Sequence, residues 1–395
     1  MTINYFERLP DLRTRKPHRL LFIRAKNIMK QIQYLSFCLL ILMFTCASGQ
    51  SSEFKAGFDK QECLELLILS AHHADTSFHS KLPKPKNFQP VYRSKETGLQ
   101  FRWDLWTSEK HQAVINVRGS TKDQASWMAN FYSAMVAAKG ELKLSKTETF
   151  SYELSSDPKA AVHAGYLLSV AFLSKDILHK IDSIYAQGIK NIFLAGHSQG
   201  GGVAYLLTAH LYHLQKQGRL PADIRFKTYC TAAPKPGNLY FAYSYEAMTQ
   251  EGWAYNAVST ADWVPEVPLS VQTIYDFNTI NPFSGAKKAI KKQKGSKKIL
   301  LKHVYKQLSR HPLKAQKKYE KYLGHYLYKG IKKQLPDLEE PVYLHSNDYV
   351  RTGHTIVLQT DDAYYALFPD KKGNVFCHHF FRQYYYLIEK LKPIN

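Results

Sequence analysis

The stretch Ile192-Phe193-Leu194-Ala195-Gly196-His197-Ser198-Gln199-Gly200-Gly201-Gly202 constrains this chain more than any other. It starts as an apolar run suited to a buried strand. It passes through small residues into Val203-Ala204-Tyr205-Leu206-Leu207, which reads as a helix. Between the two lies Gly-x-Ser-x-Gly. A serine at so sharp a strand-to-helix turn is held with its hydroxyl exposed and its backbone under strain. Gly196 and Gly200 suit the turn because backbone passes too close there for a Cβ. The following helix aims its first N–H groups at the serine, where a developing oxyanion can be stabilised. A glycine-rich turn with a chance serine is the plain alternative; the strand before and the helix after favour a nucleophile at Ser198.

The formal charge of +22 over 395 residues suggests a nucleic-acid binder until its distribution is read. Residues 1–49 carry eight Lys/Arg and two acids, and residues 286–335 carry 17 Lys/Arg with Glu320 as the lone acid. Those two segments account for the whole excess, so the rest is neutral and no nucleic-acid partner is expected. The first segment has basic residues, then the apolar run Leu35–Phe44, then Ala47-Ser48-Gly49 before Gln50. That run is too short to span a bilayer, and the layout is that of a secretory signal peptide over 1–49. Its leader is long, and Met29-Lys30 begins a signal of ordinary proportions, so Met29 is an alternative start. Export is expected, with a secreted, periplasmic or cell-surface destination. Of five cysteines, Cys38 and Cys46 fall in this signal. Cys63, Cys230 and Cys377 remain, allowing at most one bridge and showing no metal-site spacing. Buried thiols are expected, with no metal and no cofactor.

Beyond the signal, residues 50–285 read as a catalytic core. A helical apolar face runs over Asp59–Ser70, and a proline-rich loop follows at Leu82–Pro90. In Ala71-His72-His73-Ala74-Asp75 the two adjacent His of a helix point different ways, which argues against a metal cluster. Leu99–Trp106 and His111–Val117 read as strands, the second ending in Arg118-Gly119-Ser120-Thr121. That is a good place for an oxyanion loop, with the backbone N–H and hydroxyl of Ser120 as donors. Trp127-Met128-Ala129-Asn130-Phe131 is an amphipathic segment, either a lid near the site or plain core packing. A helix from Val162-His163-Ala164-Gly165-Tyr166 through Ile184 stops at Gly188. Strands at Arg225–Cys230 and Tyr255–Val258 complete an alternation of strands and helices, which predicts an α/β fold with a mainly parallel sheet. Ser120, Ser198 and Asp262 each follow a strand, and so converge on the carboxyl edge of that sheet.

Asp262 is the right type to orient a histidine, and the order serine, aspartate, histidine places the missing base near the C-terminus. His378 and His379, ahead of a final helix to Leu391, are the candidates, with His345 and His354 as fallbacks. Residues 336–395 are thus assigned to the catalytic domain. Between Asp262 and the His pair sits the Lys-rich segment 286–335. Ile299, Leu300, Leu301, Val304, Tyr305 and Leu308, then Tyr319, Tyr322, Leu323, Tyr326 and Leu327, recur at helical spacing on either side of Pro312. A helical hairpin inserted into the catalytic domain is expected. It is either a solvated cap or a surface drawn to an anionic membrane, where each Lys near lipid contributes about 1 kcal/mol.

Several of these motifs together resemble the class 3 (fungal-type) lipases of the α/β-hydrolase superfamily. They are Val117-Arg118-Gly119-Ser120, Trp127, Val162-His163-Ala164-Gly165-Tyr166, Gly196-His197-Ser198-Gln199-Gly200-Gly201, Ala233-Pro234-Lys235-Pro236-Gly237-Asn238, and Asp262-Trp263-Val264-Pro265 with Pro268. They run in the family's order over about residues 60–275, with the last helix added. The resemblance implies an α/β-hydrolase fold and lipase-like or esterase activity on a lipid or other ester. It implies Ser198 as nucleophile, Asp262 as triad acid, the amides of Ser120 and Gln199 as oxyanion hole, and Trp127 at the interfacial lid. For the base it offers His379 with Tyr384, or His378 with Phe381. Gln199 stands where the family more commonly has Leu, which adds a polar side chain beside the pocket. The insert 286–335 is not a general family feature. Rival readings are a phospholipase working at anionic membranes and a non-catalytic surface-binding protein on the same fold.

Overall fold

The computed structural model describes residues 54–74 and 80–392. The chain divides into two units, Met1–Lys55 and Ala56–Asn395, and the elements below belong to the second. The signal peptide expected over 1–49, with Met29, Cys38 and Cys46, lies outside the described residues, as does Asp75.

The centre is a seven-stranded sheet. It contains β1 (Gln89–Arg93), β2 (Trp103–Ser108), β3 (Gln112–Val117), β8 (Asn191–His197), β9 (Arg225–Thr231), β11 (Ala254–Ser259) and β13 (His354–Leu358), in that spatial order. β1, β2 and β3 pair antiparallel; from β3 through β8, β9 and β11 to β13 every pairing is parallel. Every residue of β3 and β11 is buried, and nearly every one of β8 and β9. Helices cover both faces of such a sheet, which is why β3 and β8 read as largely apolar runs rather than alternating ones. Helices α1 (Lys60–His73) and α10 (Phe381–Glu389) pack together on one face, and α3 (Ala164–Tyr185) and α4 (Gln199–Lys216) on the other. Helix α5 (Leu239–Met248) leads into β11 and also packs on α4. The sheet is mostly parallel and flanked by helices, the architecture of the α/β-hydrolase fold.

The expected strand at Leu99–Trp106 starts later, at Trp103. Thr97 and Phe101 close a tight turn instead, with Gln100 at φ 62°. The proline-rich stretch passes into β1 as an edge strand, where Pro90 has no central ladder position to spoil. A four-stranded sheet of very short strands lies outside the main one: β4 (Met135–Ala137), β7 (Ala161–His163), β10 (Gly237–Asn238) and β12 (Tyr349–Val350). A hairpin of β5 (Lys139–Lys143) and β6 (Thr149–Glu153) stands beside it. Strands of two or three residues carry no periodicity, which is why they are invisible in the sequence.

The Lys-rich segment departs from the expected hairpin. Helix α6 (Ala286–Lys292) breaks at Gln293-Lys294, and α7 (Gly295–Glu320) then runs through Pro312 without ending. A π-helical stretch, Lys321–Tyr326, carries it into α8 (Leu327–Gln334). A proline removes one helical hydrogen bond and crowds the preceding turn, but it does not have to end a helix whose flanks are strong helix formers. The segment is also two things at once. Its first part is exposed, whereas Gln316, Gly324 and Ile331 are buried. The amide of Ala134 donates to Leu323 O at 3.1 Å, and α8 packs on helix α2 (Gln124–Phe131). Among the described residues, no helix is long and apolar enough to cross a membrane.

Candidate active site

The turn between β8 and α4 is as tight as its glycines suggest. Ser198 has φ 59° and ψ −129°, a conformation that side chains rarely adopt. A Cβ on Gly196 would run into the backbone of Gly200, and one on Gly200 into the carbonyl of Val117. The elbow is therefore pressed against the end of β3, which brings the Arg118–Thr121 loop beside Ser198. Ser198 precedes the first turn of α4, whose N–H groups have no helical partners of their own.

His379 lies between Ser198 and Asp262. Its Nε2 is 2.8 Å from Ser198 Oγ and its Nδ1 is 2.7 Å from Asp262 Oδ2. One neutral tautomer satisfies both contacts: Nδ1–H donates to the carboxylate and Nε2 accepts from the hydroxyl. Asp262 is buried, and its carboxylate is further occupied. Oδ1 accepts from the amide of Val264 at 3.0 Å, and Oδ2 accepts from the hydroxyl of Tyr384 at 2.7 Å. Tyr384 OH in turn accepts from the amide of Ser259, tying α10 to the end of β11. His197 supports His379 from behind. Its Nε2–H donates to the carbonyl of His379 at 2.9 Å, and its Nδ1 accepts from Thr231 Oγ1. Burial, with the neighbouring His379 as the lesser cause, holds the His197 pKa well below the ordinary value, so it stays neutral.

The other histidines are elsewhere. His378 points away from Ser198, with Nε2 2.7 Å from Asp370 Oδ1 and Nδ1 2.9 Å from Tyr364 OH. His345 Nδ1 faces Glu320 at 2.7 Å, and His354 is exposed on the edge strand β13 against Tyr255.

Ser120 is held from a direction the sequence does not advertise. Asn130 Nδ2 donates to Ser120 Oγ at 2.8 Å, and the carbonyl of Asn130 accepts from His163 Nε2 at 3.1 Å. His163 caps the first turn of α3 and is kept neutral by burial, its pKa pushed down to about 3. The side chain of Gln199 does not lie free beside the pocket. It is buried, Nε2 donates to the carbonyl of Ser126 at 3.0 Å, and Oε1 is 3.5 Å from Ser126 Oγ. The extra polarity expected there is already satisfied by α2.

Trp127 is on the outward side of α2, half-buried. Its ring centroid lies 5.7 Å from that of Phe376, which also meets Trp263 at 5.4 Å and the His379 ring at 5.8 Å. The Trp263 indole N–H donates to the carbonyl of Val375. An aromatic cluster drawn from three separate segments thus flanks the histidine. Phe131, Trp263 and Val375 expose apolar surface around it. Phe376 carries no signal in the sequence, since nothing there links its loop to Trp127.

Residues 114–272 match the family model for lipase (class 3). A comparison with curated proteins finds no match. Among solved structures, the chain is similar to a Rhizomucor miehei lipase in its propeptide complex, at 18% identity and a TM-score of 0.39. That match covers 54% of this chain and 65% of the other, just under two thirds of its length. It is also similar to a lipase from Rhizopus microsporus var. chinensis (20% identity, 54% and 71% covered, TM-score 0.38) and to a triacylglycerol lipase from Penicillium expansum (16%, 53% and 71%, 0.38). The stretch 114–272, which holds Ser120, the Ser198 turn and Asp262, is thus where the chain is similar to the class 3 lipases.

Proposed function

We propose that the protein is an exported serine ester hydrolase acting on lipid or lipid-like carboxylic esters. The observation that carries this is the unbroken line of hydrogen bonds from Ser198 through His379 to Asp262 at the strained turn. Ser198 Oγ attacks the ester carbonyl as His379 Nε2 takes its proton. Asp262, already holding Nδ1–H, stabilises the imidazolium that forms. The amides of Ser120 and Gln199 receive the oxyanion, and the Ser120 hydroxyl, oriented by Asn130, supplies a further donor. His379 then returns the proton to the departing alkoxide, leaving an acyl-enzyme. Water, deprotonated by the same histidine, hydrolyses it. The apolar rim of Trp127, Phe131, Trp263, Val375 and Phe376 suits an acyl chain, and Trp127 on α2 serves as part of a lid.

The test is an activity-based serine-hydrolase probe on wild type and Ser198→Ala, with an ester panel of increasing chain length. Labelling and turnover should both vanish in the variant. Undiminished turnover in Ser198→Ala rules out Ser198 as the nucleophile, and absence of both labelling and turnover in wild type sinks the enzyme reading and leaves a surface-binding protein on this fold. Preference for short soluble esters over long-chain ones sinks the lipase reading within it.

A second reading, action at anionic membranes as a phospholipase, is favoured by α7. Leu300, Val304 and Leu308 recur every four residues and are 62%, 43% and 64% exposed. Lys298, Lys302, Lys306 and Arg310 form the opposite stripe. Such a helix lies in an interface with its apolar face in the lipid and its lysines towards the headgroups. Replacing Leu300, Val304 and Leu308 together by Ser should reduce binding to phosphatidylglycerol vesicles at least tenfold. Equal binding by the variant, or binding indifferent to salt, removes the membrane reading.

A further inference from the structure

The loop between helix α9 (Asp362–Leu367) and α10 brings Asp370 back beside Cys377 and His378. One ligand-type atom from each of these three residues lies within 4.8 Å of the other two. His378 is buried and its ring is fixed on both sides, by Tyr364 OH at Nδ1 and by Asp370 Oδ1 at Nε2. Tyr364 is itself fully buried. Asp370, in contrast, is 86% exposed and free to re-aim, and Cys377 is half-buried. We propose that Asp370, Cys377 and His378 form a binding site for a zinc-class divalent transition metal, next to but separate from the Ser198 centre.

The donor set argues for the class of ion. One sulfur, one imidazole nitrogen and one carboxylate oxygen suit zinc, and a single oxygen ligand is far too few for calcium or magnesium. The geometry is within reach. In a tetrahedral zinc site the imidazole and carboxylate donors stand about 3.3 Å apart, given bonds of about 2.0–2.1 Å. The present Nε2 to Oδ1 separation is 2.7 Å, so a small rotation of the exposed Asp370 side chain is enough. The buried tyrosine is the partner a metal-bound imidazole needs. With Nε2 on the metal, Nδ1–H donates to Tyr364 OH, which holds the ring in the ligating tautomer. The fourth position faces solvent and takes a water. On binding, the Cys377 thiol releases its proton to solvent, and the imidazole proton moves from Nε2 to Nδ1 through exchange with water. The spacing Asp370…Cys377-His378 matches no linear metal motif, because the ligands meet only when the loop closes. A filled site would close the chain from Asp370 to Cys377 into a ring that carries Phe376 and ends two residues before His379.

The test titrates the full chain, after chelator treatment, with cobalt(II) and then zinc(II). It compares wild type with Cys377→Ser and Asp370→Asn. Wild type should take up cobalt with a thiolate-to-metal absorption band in the near ultraviolet, which zinc displaces. Cys377→Ser should lose that band, and Asp370→Asn should weaken zinc binding at least tenfold against a chromophoric chelator. Asp370 is so exposed that its variant folds, so that result stands even if the cysteine variant does not. Zinc should also slow amide hydrogen exchange across residues 369–379 in wild type only. Absence of the band in wild type, its persistence in Cys377→Ser, or unchanged zinc affinity in Asp370→Asn overturns the proposal. None of these readouts depends on ester hydrolysis.

Discussion

Gln199 Nε2 donates to the carbonyl oxygen of Ser126 at 3.0 Å, so the residue after Ser198 is tied to the first turn of α2. Ser126 Oγ also accepts from the amide of Thr121 in the loop that carries Ser120. The elbow, the Ser120 loop and the helix bearing Trp127 therefore share one buried polar junction. Its members come from three segments of the chain, and its least obvious member is the glutamine that stands where class 3 lipases more commonly have leucine.

Replacing Gln199 by Leu should loosen α2 while sparing the chemistry. The backbone amide of residue 199 is retained, so turnover of a small soluble ester should stay within about threefold of wild type. The carbonyl of Ser126 loses its side-chain donor, at a cost of about 0.5–1.5 kcal/mol. Amide hydrogen exchange over residues 124–131 should accelerate roughly tenfold, the equivalent of about 1.4 kcal/mol. Unchanged exchange there would mean that α2 is held by its packing on α3 and α8 alone.

Tyr384 should act as a positioning residue through Asp262. Its hydroxyl donates to the same Oδ2 that accepts from His379 Nδ1, and it is wholly buried. In Tyr384→Phe the carboxylate loses one of its three donors and the amide of Ser259 loses an acceptor. A hydrogen bond to a charged group contributes about 1.5–3 kcal/mol, which corresponds to a fall in kcat of roughly ten- to a hundredfold. KM should be unchanged, since Tyr384 touches no substrate. A changed KM with an intact kcat would contradict this role.

Much of this layout is readable from residues alone, and the unread remainder shares one cause. β3 and β8 announce themselves as largely apolar runs because both faces of the sheet are covered, while β9 and β11, with polar residues among the apolar ones, are placed by their position in the alternation of strands and helices. The placement of Ser120, Ser198 and Asp262 after strand ends follows from that alternation. Local pattern does not tell His378 from His379, because the choice depends on which ring faces Ser198 once the 370–380 loop has folded. The roles of Asn130, Ser126 and Phe376 are equally hidden. Each acts through a partner ten or more residues away in sequence, and none sits in a periodic pattern that requires it. The course of the helix through Pro312 is a local event that went the other way, carried by the helix-forming residues around it and by the docking of its far end at Gly324 and Ile331.

The two adjacent histidines give a sharp pair of variants. His379→Ala should remove the base and reduce kcat by roughly a thousandfold or more, with residual turnover from the oxyanion donors. His378→Gln should cost less than about tenfold, because the His378 ring contacts Asp370 and Tyr364 rather than Ser198. Steady-state kinetics on a chromogenic ester separates them. A comparable loss in both variants would mean that the base is not His379 alone.

The fold should be acid-labile, and the buried histidines say where. Burial drives the pKa of His163 down to about 3 and that of His210 to about 4, and holds His197 well below its ordinary value. In the unfolded chain each takes up a proton near pH 6.5. A depressed folded pKa means that the unfolded state binds more protons over the interval between the two values, so stability falls as pH falls through it. Each histidine contributes about 1.4 kcal/mol per pH unit at the steepest, and the loss begins near pH 6.5. Burial raises the carboxyl groups of Glu62, Asp104 and Asp276, which opposes the trend at the lower end by letting the folded state take up protons first. The slope should therefore be steepest between about pH 6 and 5. Urea unfolding followed by circular dichroism across that range measures it. His210→Gln should reduce the slope by close to one proton's worth, because His210 is buried with its Nδ1 unpartnered among the described residues and contacts no part of the Ser198 centre. A slope unchanged by that substitution would mean that His210 is protonated in the folded protein as readily as in the unfolded chain.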